Sequence, residues 1–186
     1  MSIIDIIKYL KPNIPSVLYL IISFTLVFFT GCKSKKKIQP DHDAIVIENV
    51  KVEVTEMKKG RERQIVEEAM KWLGTPYRYG ASEKGRGTDC SGMVLVVYQD
   101  ITGVKLPRNS AKQAEFCKKL KQSKVRPGDL VFFATGKDPN KISHVGIMLD
   151  SDKFIHASTS KGVVISDVTA PYYQRTFMMY GRVPQN

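Results

Sequence analysis

The sequence predicts an α+β domain, with helices first and then an antiparallel sheet or open barrel of five to six strands. Three observations point to it. Apolar residues recur at helical spacing over Ile65, Val66, Ala69, Met70 and Leu73, up to Gly74, and again over Met93, Val94, Val97, Tyr98 and Ile101, up to Gly103. Ser110 with Gln113 three residues on has the form of a capping box that opens a third helix, carrying Ala114, Cys117 and Leu120 inward. Past Pro127-Gly128-Asp129 the texture changes to short apolar runs broken by turn residues, at 130–134, 144–149, 154–157, 163–166 and 177–183. Helices followed by strands, rather than alternating with them, pack on one side of an antiparallel sheet.

The 186 residues are 42% hydrophobic and 25% charged, which suits one ordinary domain with additional N-terminal sequence. Lys8 and Lys11 precede an uncharged stretch from Ser16 to Phe29, followed by Thr30-Gly31-Cys32. Basic, then apolar, then small is the order of a secretory signal, here residues 1–31. The apolar run is shorter than the roughly 20 residues of a spanning helix, and Pro12 and Pro15 discourage its extension, so export is favoured over the alternative of a permanent membrane helix. Phe29-Thr30-Gly31-Cys32 resembles a bacterial lipobox, which implies that Cys32 receives diacylglycerol and becomes the first mature residue. Acyl chains at about 0.8 kcal/mol per buried CH₂ then anchor the chain stably.

Residues 32–60 read as a tether, opening with Lys33-Ser34-Lys35-Lys36-Lys37 against anionic headgroups. Ile45, Ile47, Val52 and Val54 alternate in part, as in an extended segment or a short edge strand, and His42 is expected to be solvated. The folded domain is expected from about Arg61 to the end of the chain. The formal charge is +11, of which the first 31 residues supply +1, leaving +10 beyond them. Such a balance favours an acidic partner. The lysines are scattered, with no helix-turn-helix, zinc-finger or aromatic RNA-binding motif, so wall polymer or lipid headgroups are expected rather than nucleic acid.

Gly87-Thr88-Asp89-Cys90-Ser91-Gly92 sets a cysteine at the start of the second helix. Unpaired N–H groups and the helix dipole there favour a thiolate. A thiol nucleophile also needs a base, and a third polar group to hold that base in the right tautomer. His144 and His156 lie on adjacent predicted strands joined through Asp150-Ser151-Asp152. If that three-residue loop pairs Leu149 with Lys153, His156 falls opposite Gly146 and His144 opposite Ser158. The histidines then share a face two positions apart, roughly 7–8 Å diagonally. A two-residue loop would place them on opposite faces. The plainer readings are Cys90 as a small core residue, the histidines as structural residues, or all three as zinc ligands, although the close ligand pair of most zinc sites is missing. Cys117 reads as core; a Cys90–Cys117 disulfide is the alternative, and it would consume the reactive thiol.

Gly74-Thr75-Pro76-Tyr77-Arg78-Tyr79-Gly80, Thr88-Asp89-Cys90-Ser91-Gly92, Arg126-Pro127-Gly128-Asp129-Leu130, His144-Val145-Gly146-Ile147 and Phe154-Ile155-His156-Ala157-Ser158 together resemble the ordered motifs of the NlpC family. These are papain-like cysteine endopeptidases of bacterial cell walls, and the resemblance covers about residues 61–184. It implies a papain-like α+β fold and hydrolysis of peptide bonds in the peptidoglycan stem or its crosslinks through a thioester. Cys90 is then the nucleophile, His144 the base and His156 the third polar member. The same match implies that Tyr77 helps to hold the oxyanion and that Asp89 and Ser91 bind the amino end of the substrate. The lipid signal and the stretch 154–162 look closest to enterobacterial lipoproteins that cut murein crosslinks. With no aspartate after Cys32, that analogy implies the outer membrane, facing the periplasm. The expected partners are stem peptides and, through the lipid, a membrane; the chain is expected to be a monomer without cofactor or metal. A peptidoglycan amidase or acyltransferase with the same three residues, and a non-catalytic wall-binding lipoprotein, are the competing classes.

Overall fold

The computed structural model describes residues 42–184. The residues read as an export signal (1–31), the expected lipid site Cys32 and the lysine run 33–37 lie outside the described residues. Among the described ones no helix is long and apolar enough to cross a membrane.

Helix α1, His42–Glu56, occupies the stretch read from sequence as an extended tether. Its β-branched residues argue for a strand locally, but packing reverses the preference. Val50 and Val54, four residues apart on one helical face, are buried in the same core as Ile65 and Val66. Arg63 then donates to the carbonyls of Thr55 and Met57 at 3.1 and 3.2 Å, satisfying acceptors that the end of α1 leaves open. The packed body therefore begins before Arg61.

Helix α2, Arg61–Met70, buries Ile65, Val66 and Ala69 as the periodicity predicts. A short hairpin follows, β1 (Ser82–Glu83) with β2 (Gly87–Thr88). Helix α3 runs Cys90–Thr102 and stops at Gly103, whose φ of 72° lies in the left-handed region. Helix α4, Ser110–Phe116, departs from expectation at both ends. Its cap is Asn109, which accepts from the Lys112 amide at 2.9 Å, while Ser110 is the first helical residue. Gln113 does not turn back to close a capping box; it donates to the carbonyls of Ser91 and Pro107 and ties α4 to the mouth of α3. The helix ends before Cys117, and Lys118–Leu120 form strand β3. Cys117 is a half-buried free thiol, as Cys90 is a buried one, so no disulfide joins them.

Strands β4 (Leu130–Phe133), β5 (His144–Met148), β6 (Lys153–Ser158), β7 (Gly162–Asp167) and β8 (Phe177–Arg182) complete the sheet, with helix α5 (Pro171–Thr176) before β8. The strand order is β3-β8-β4-β5-β6-β7, antiparallel throughout. One face, with Leu130, Phe132, Val145, Ile147 and Ile155, packs on α2 and α3. The other, with Val131, Phe133, Met148 and Phe154, is covered by Tyr173 of α5. By strand alternation His144 and His156 belong to this second face.

The hairpin β5–β6 has the register expected of a three-residue loop: Ile147 opposes Ile155 and Met148 opposes Phe154, and the Leu149 amide bonds the Lys153 carbonyl at 2.8 Å. Ladder pairing stops short of Gly146 and His156. A Cβ on Gly146 would lie 2.5 Å from Phe154 Cδ2 and 3.2 Å from His156 Cβ, so only glycine lets β6 approach this closely.

Candidate active site

The thiol is built from the mouth of α3. Asp89 caps the helix, with Oδ1 accepting from the Gly92 amide at 2.8 Å and Oδ2 from the Gly80 amide at 2.8 Å. Arg108 closes a fork on the same carboxylate, 2.8 Å to each oxygen. Burial alone would raise the Asp89 carboxyl; these bonds outweigh it and hold the group below the usual carboxylate range. Gly92 is obligatory, since a Cβ there would sit 2.4 Å from the Ala81 carbonyl.

Cys90, the first residue of α3, keeps 8% of its surface exposed, while Met93 and Val94 behind it keep none. Amide N–H groups of Val145, Ser91 and Cys90 itself face the sulfur. The Val145 amide is available because β5 and β6 part at this level. These donors do not prevail. Burial first, and the Asp89 carboxylate second, push the thiol up to about 11, so the helix mouth does not by itself supply the thiolate expected from the sequence.

The structure brings the two histidines together. His144 Nε2 and His156 Nδ1 are 2.8 Å apart, with the rings at 88°. Burial draws His144 down to about 4, and burial with the neighbouring His144 holds His156 well below its ordinary range, so both rings rest neutral. Among the described residues no hydrogen bond joins the sulfur to either ring; the thiol meets the pair through the Val145 amide, one residue from His144. His144 and His156 also line a cleft of about 870 Å³, which Cys90 does not line. One nitrogen of each ring is taken up in this contact, which leaves His144 Nδ1 and His156 Nε2 on opposite sides of the pair.

Tyr77 is half-buried on a bridge to Thr88. Its phenol is raised, first by burial and then by Cys90 and the Asp89 carboxylate. Ser91 Oγ donates to the Arg108 carbonyl at 2.7 Å and lies 3.1 Å from Asp89 Oδ1. Asp89 and Ser91 thus spend their polar atoms within the chain. Sequence reasoning missed three residues here. Arg108 is one; the others are Ser166 and Tyr173, each with its oxygen 3.0 Å from His156 Nε2. Pro171 at the first turn of α5 was the signal for the helix that carries Tyr173. Nothing local marks Arg108 or Ser166.

The NlpC/P60 family matches residues 74–182. Probable endopeptidase NlpC of Escherichia coli is 46% identical over 112 residues, which are 60% of this chain and 71% of that protein. Murein DD-endopeptidase MepS/Murein LD-carboxypeptidase of Escherichia coli is 39% identical over 120 residues, 64% of this chain and 62% of that protein. Among solved structures, a Staphylococcus aureus protein similar to lipoprotein, of the NLP/P60 family, superposes with a TM-score of 0.63 at 30% identity over 70% of this chain and 44% of its own. The matched region runs from the turn after α2 into β8, so it takes in Cys90, His144, His156 and the sheet that carries the imidazoles. On these grounds the chain belongs to the NlpC/P60 family.

Proposed function

We propose that the protein is a lipid-anchored peptidoglycan endopeptidase, cutting a peptide bond of the stem peptide or its crosslinks through Cys90, His144 and His156. It is a cysteine hydrolase that acts on the wall in the cell envelope, and it works as a monomer. The observation that carries the reading is the bonded imidazole pair with the Cys90 thiol against the adjoining peptide, in a chain whose relatives are named endopeptidases.

Thiol and imidazole both rest neutral, so the proton passes from Sγ to His144 as the sulfur attacks the scissile carbonyl. The oxyanion that forms is held by the Cys90 amide and Tyr77. The His144 imidazolium then protonates the leaving amine as the C–N bond breaks, which leaves a thioester. Neutral His144 takes a proton from water, hydroxide oxygen adds to the thioester carbonyl, and the C–S bond breaks as His144 returns that proton to sulfur, releasing the acid and restoring the thiol. His156 stabilises His144 while it is charged. Asp89 and Ser91 contact the amino end of a substrate where that ammonium takes over from Arg108. Upstream, Cys32 carries the lipid and holds the domain at the outer membrane, facing the periplasm.

Purified sacculi test this. The wild type is expected to release muropeptides with new peptide amines, and Cys90→Ala to release none while binding the wall unchanged. Lysis by Cys90→Ala overturns the assignment, and free lactoyl or muramoyl ends in place of peptide amines make the protein an amidase. Cys32→Ala is expected to free the protein from membranes; persistence there removes the anchor.

A further inference from the structure

We propose that Ser166 and Tyr173 are positioning residues that fix the tautomer of the imidazole pair, so that the arrangement runs one step past Cys90, His144 and His156. This rests on His144 being the base.

Ser166 on β7 lies opposite Phe154 in the β6–β7 ladder, which puts its hydroxyl on the face that carries His156. Tyr173 comes from α5 and is clamped by aromatic contacts. Its ring meets Phe154 edge-on at 4.8 Å between centroids and Phe133 at 5.1 Å. Phe154 in turn stacks under the His156 ring at 4.9 Å and 28°. The ring of His156 is therefore held by packing, and its Nε2 is presented to Ser166 Oγ and Tyr173 Oη, each 3.0 Å away. The two oxygens lie 3.4 Å apart, aligned for the phenol to donate to Ser166. With its one proton so directed, the Tyr173 oxygen offers Nε2 a lone pair. The partner that suits it is an N–H.

A proton on His156 Nε2 leaves Nδ1 bare, and a bare Nδ1 accepts from His144 Nε2–H across the 2.8 Å bond. His144 Nδ1 then carries the free lone pair that takes the thiol proton. The opposite tautomer chain, with a hydroxyl proton directed at His156 Nε2, puts a proton on His144 Nδ1 and blocks that transfer; with Ser166 as that donor, the Tyr173 lone pair would face the Nε2 lone pair across 3.0 Å. Because burial keeps both rings neutral, the choice between these chains is a real one, and the hydroxyl pair at the far end makes it.

The test is ¹⁵N NMR of the imidazoles in the full chain, with kinetics on sacculi. In the wild type both His156 and His144 are expected to carry the proton on Nε2. In the double variant Ser166→Ala with Tyr173→Phe the tautomers are expected to mix, with kcat falling roughly tenfold at unchanged KM. Ser166→Thr, which keeps a hydroxyl, is expected to retain wild-type values. A wild-type proton on His156 Nδ1 overturns the proposal, and so does a double variant that keeps both tautomer and kcat. The wild-type spectrum decides even if the double variant does not fold. It also decides if the wild type releases no wall peptide, a result that would instead sink the endopeptidase reading.

Discussion

Cys90 and His144 each keep 8% of their surface, enough to be reached and little enough to be held neutral. The consequence is a displaced pH profile. A base must be unprotonated to accept the thiol proton, so kcat/KM should fall as pH drops through the His144 value, near 4 and not the ordinary 6.5. A rate profile measured between about pH 3 and 8 checks this; an acid limb at 6.5 would show that His144 is solvated in the working enzyme. The same depression links to stability. Between 6.5 and about 4 the unfolded chain binds a proton at His144 that the folded chain refuses, so stability is full above 6.5 and drains as pH falls through that window. Urea midpoints across it should decline. The placement of Cys90 at a helix start and of His144 and His156 on one face of a hairpin was legible in the sequence, because a helix start and a three-residue loop are local patterns. Ser166, Tyr173 and Arg108 were not, since each acts on a partner brought near only by the fold, 10, 17 and 19 residues away in the chain.

Among the elements, the predicted strands were recovered because turn residues bracket apolar runs, and α2 and α3 because a stripe of period 3.6 needs no tertiary information. The failures have physical reasons. In α1, valine pairs that look like strand alternation also sit four apart, and burial against the core chooses the helix. In α4, Asn109 and Ser110 are both good caps, and only the backbone shows which one stands outside the helix. Substitution separates them: Asn109→Ala should cost about 1 kcal/mol of unfolding free energy, and Ser110→Ala clearly less on account of the cap. Equal losses in a denaturant titration would return the cap to Ser110. Gly146→Ala probes the hairpin that holds the imidazoles. The added methyl meets Phe154 at 2.5 Å, so β6 must shift, at a cost on the order of 1–3 kcal/mol. Activity should fall further than stability accounts for, because the displaced strand carries His156; a variant with unchanged kcat shows that the pair tolerates the shift.

At the scale of the whole molecule the two edges of the sheet differ, and the difference bears on how the wall is met. The β7 edge is occupied at its start by the turn after α2, through the Gly74 amide to the Val163 carbonyl and the Val163 amide to the Thr75 carbonyl, each 2.9 Å. The β3 edge carries exposed Lys118 and Lys119, with exposed Lys121 and Lys124 just beyond. Lysines there discourage pairing with a second sheet, and they also gather positive charge on one side of a chain that carries +10 beyond residue 31. Stem peptides bring carboxylates, so attraction should be felt at the distance that salt permits, about 8 Å at physiological ionic strength and about 3 Å at 1 M. Binding of the Cys90→Ala protein to purified sacculi should therefore weaken several-fold as sodium chloride rises from about 0.05 to 0.5 M. Replacing Lys118, Lys119 and Lys121 by glutamate should flatten that dependence while leaving the hydrolysis of a small soluble stem peptide unchanged, since the substituted edge lies three strands from His144. Sedimentation of labelled protein with sacculi reads both effects. Binding that ignores salt would assign wall recognition to the cleft beside the imidazoles and leave the edge lysines only their part in keeping sheets apart.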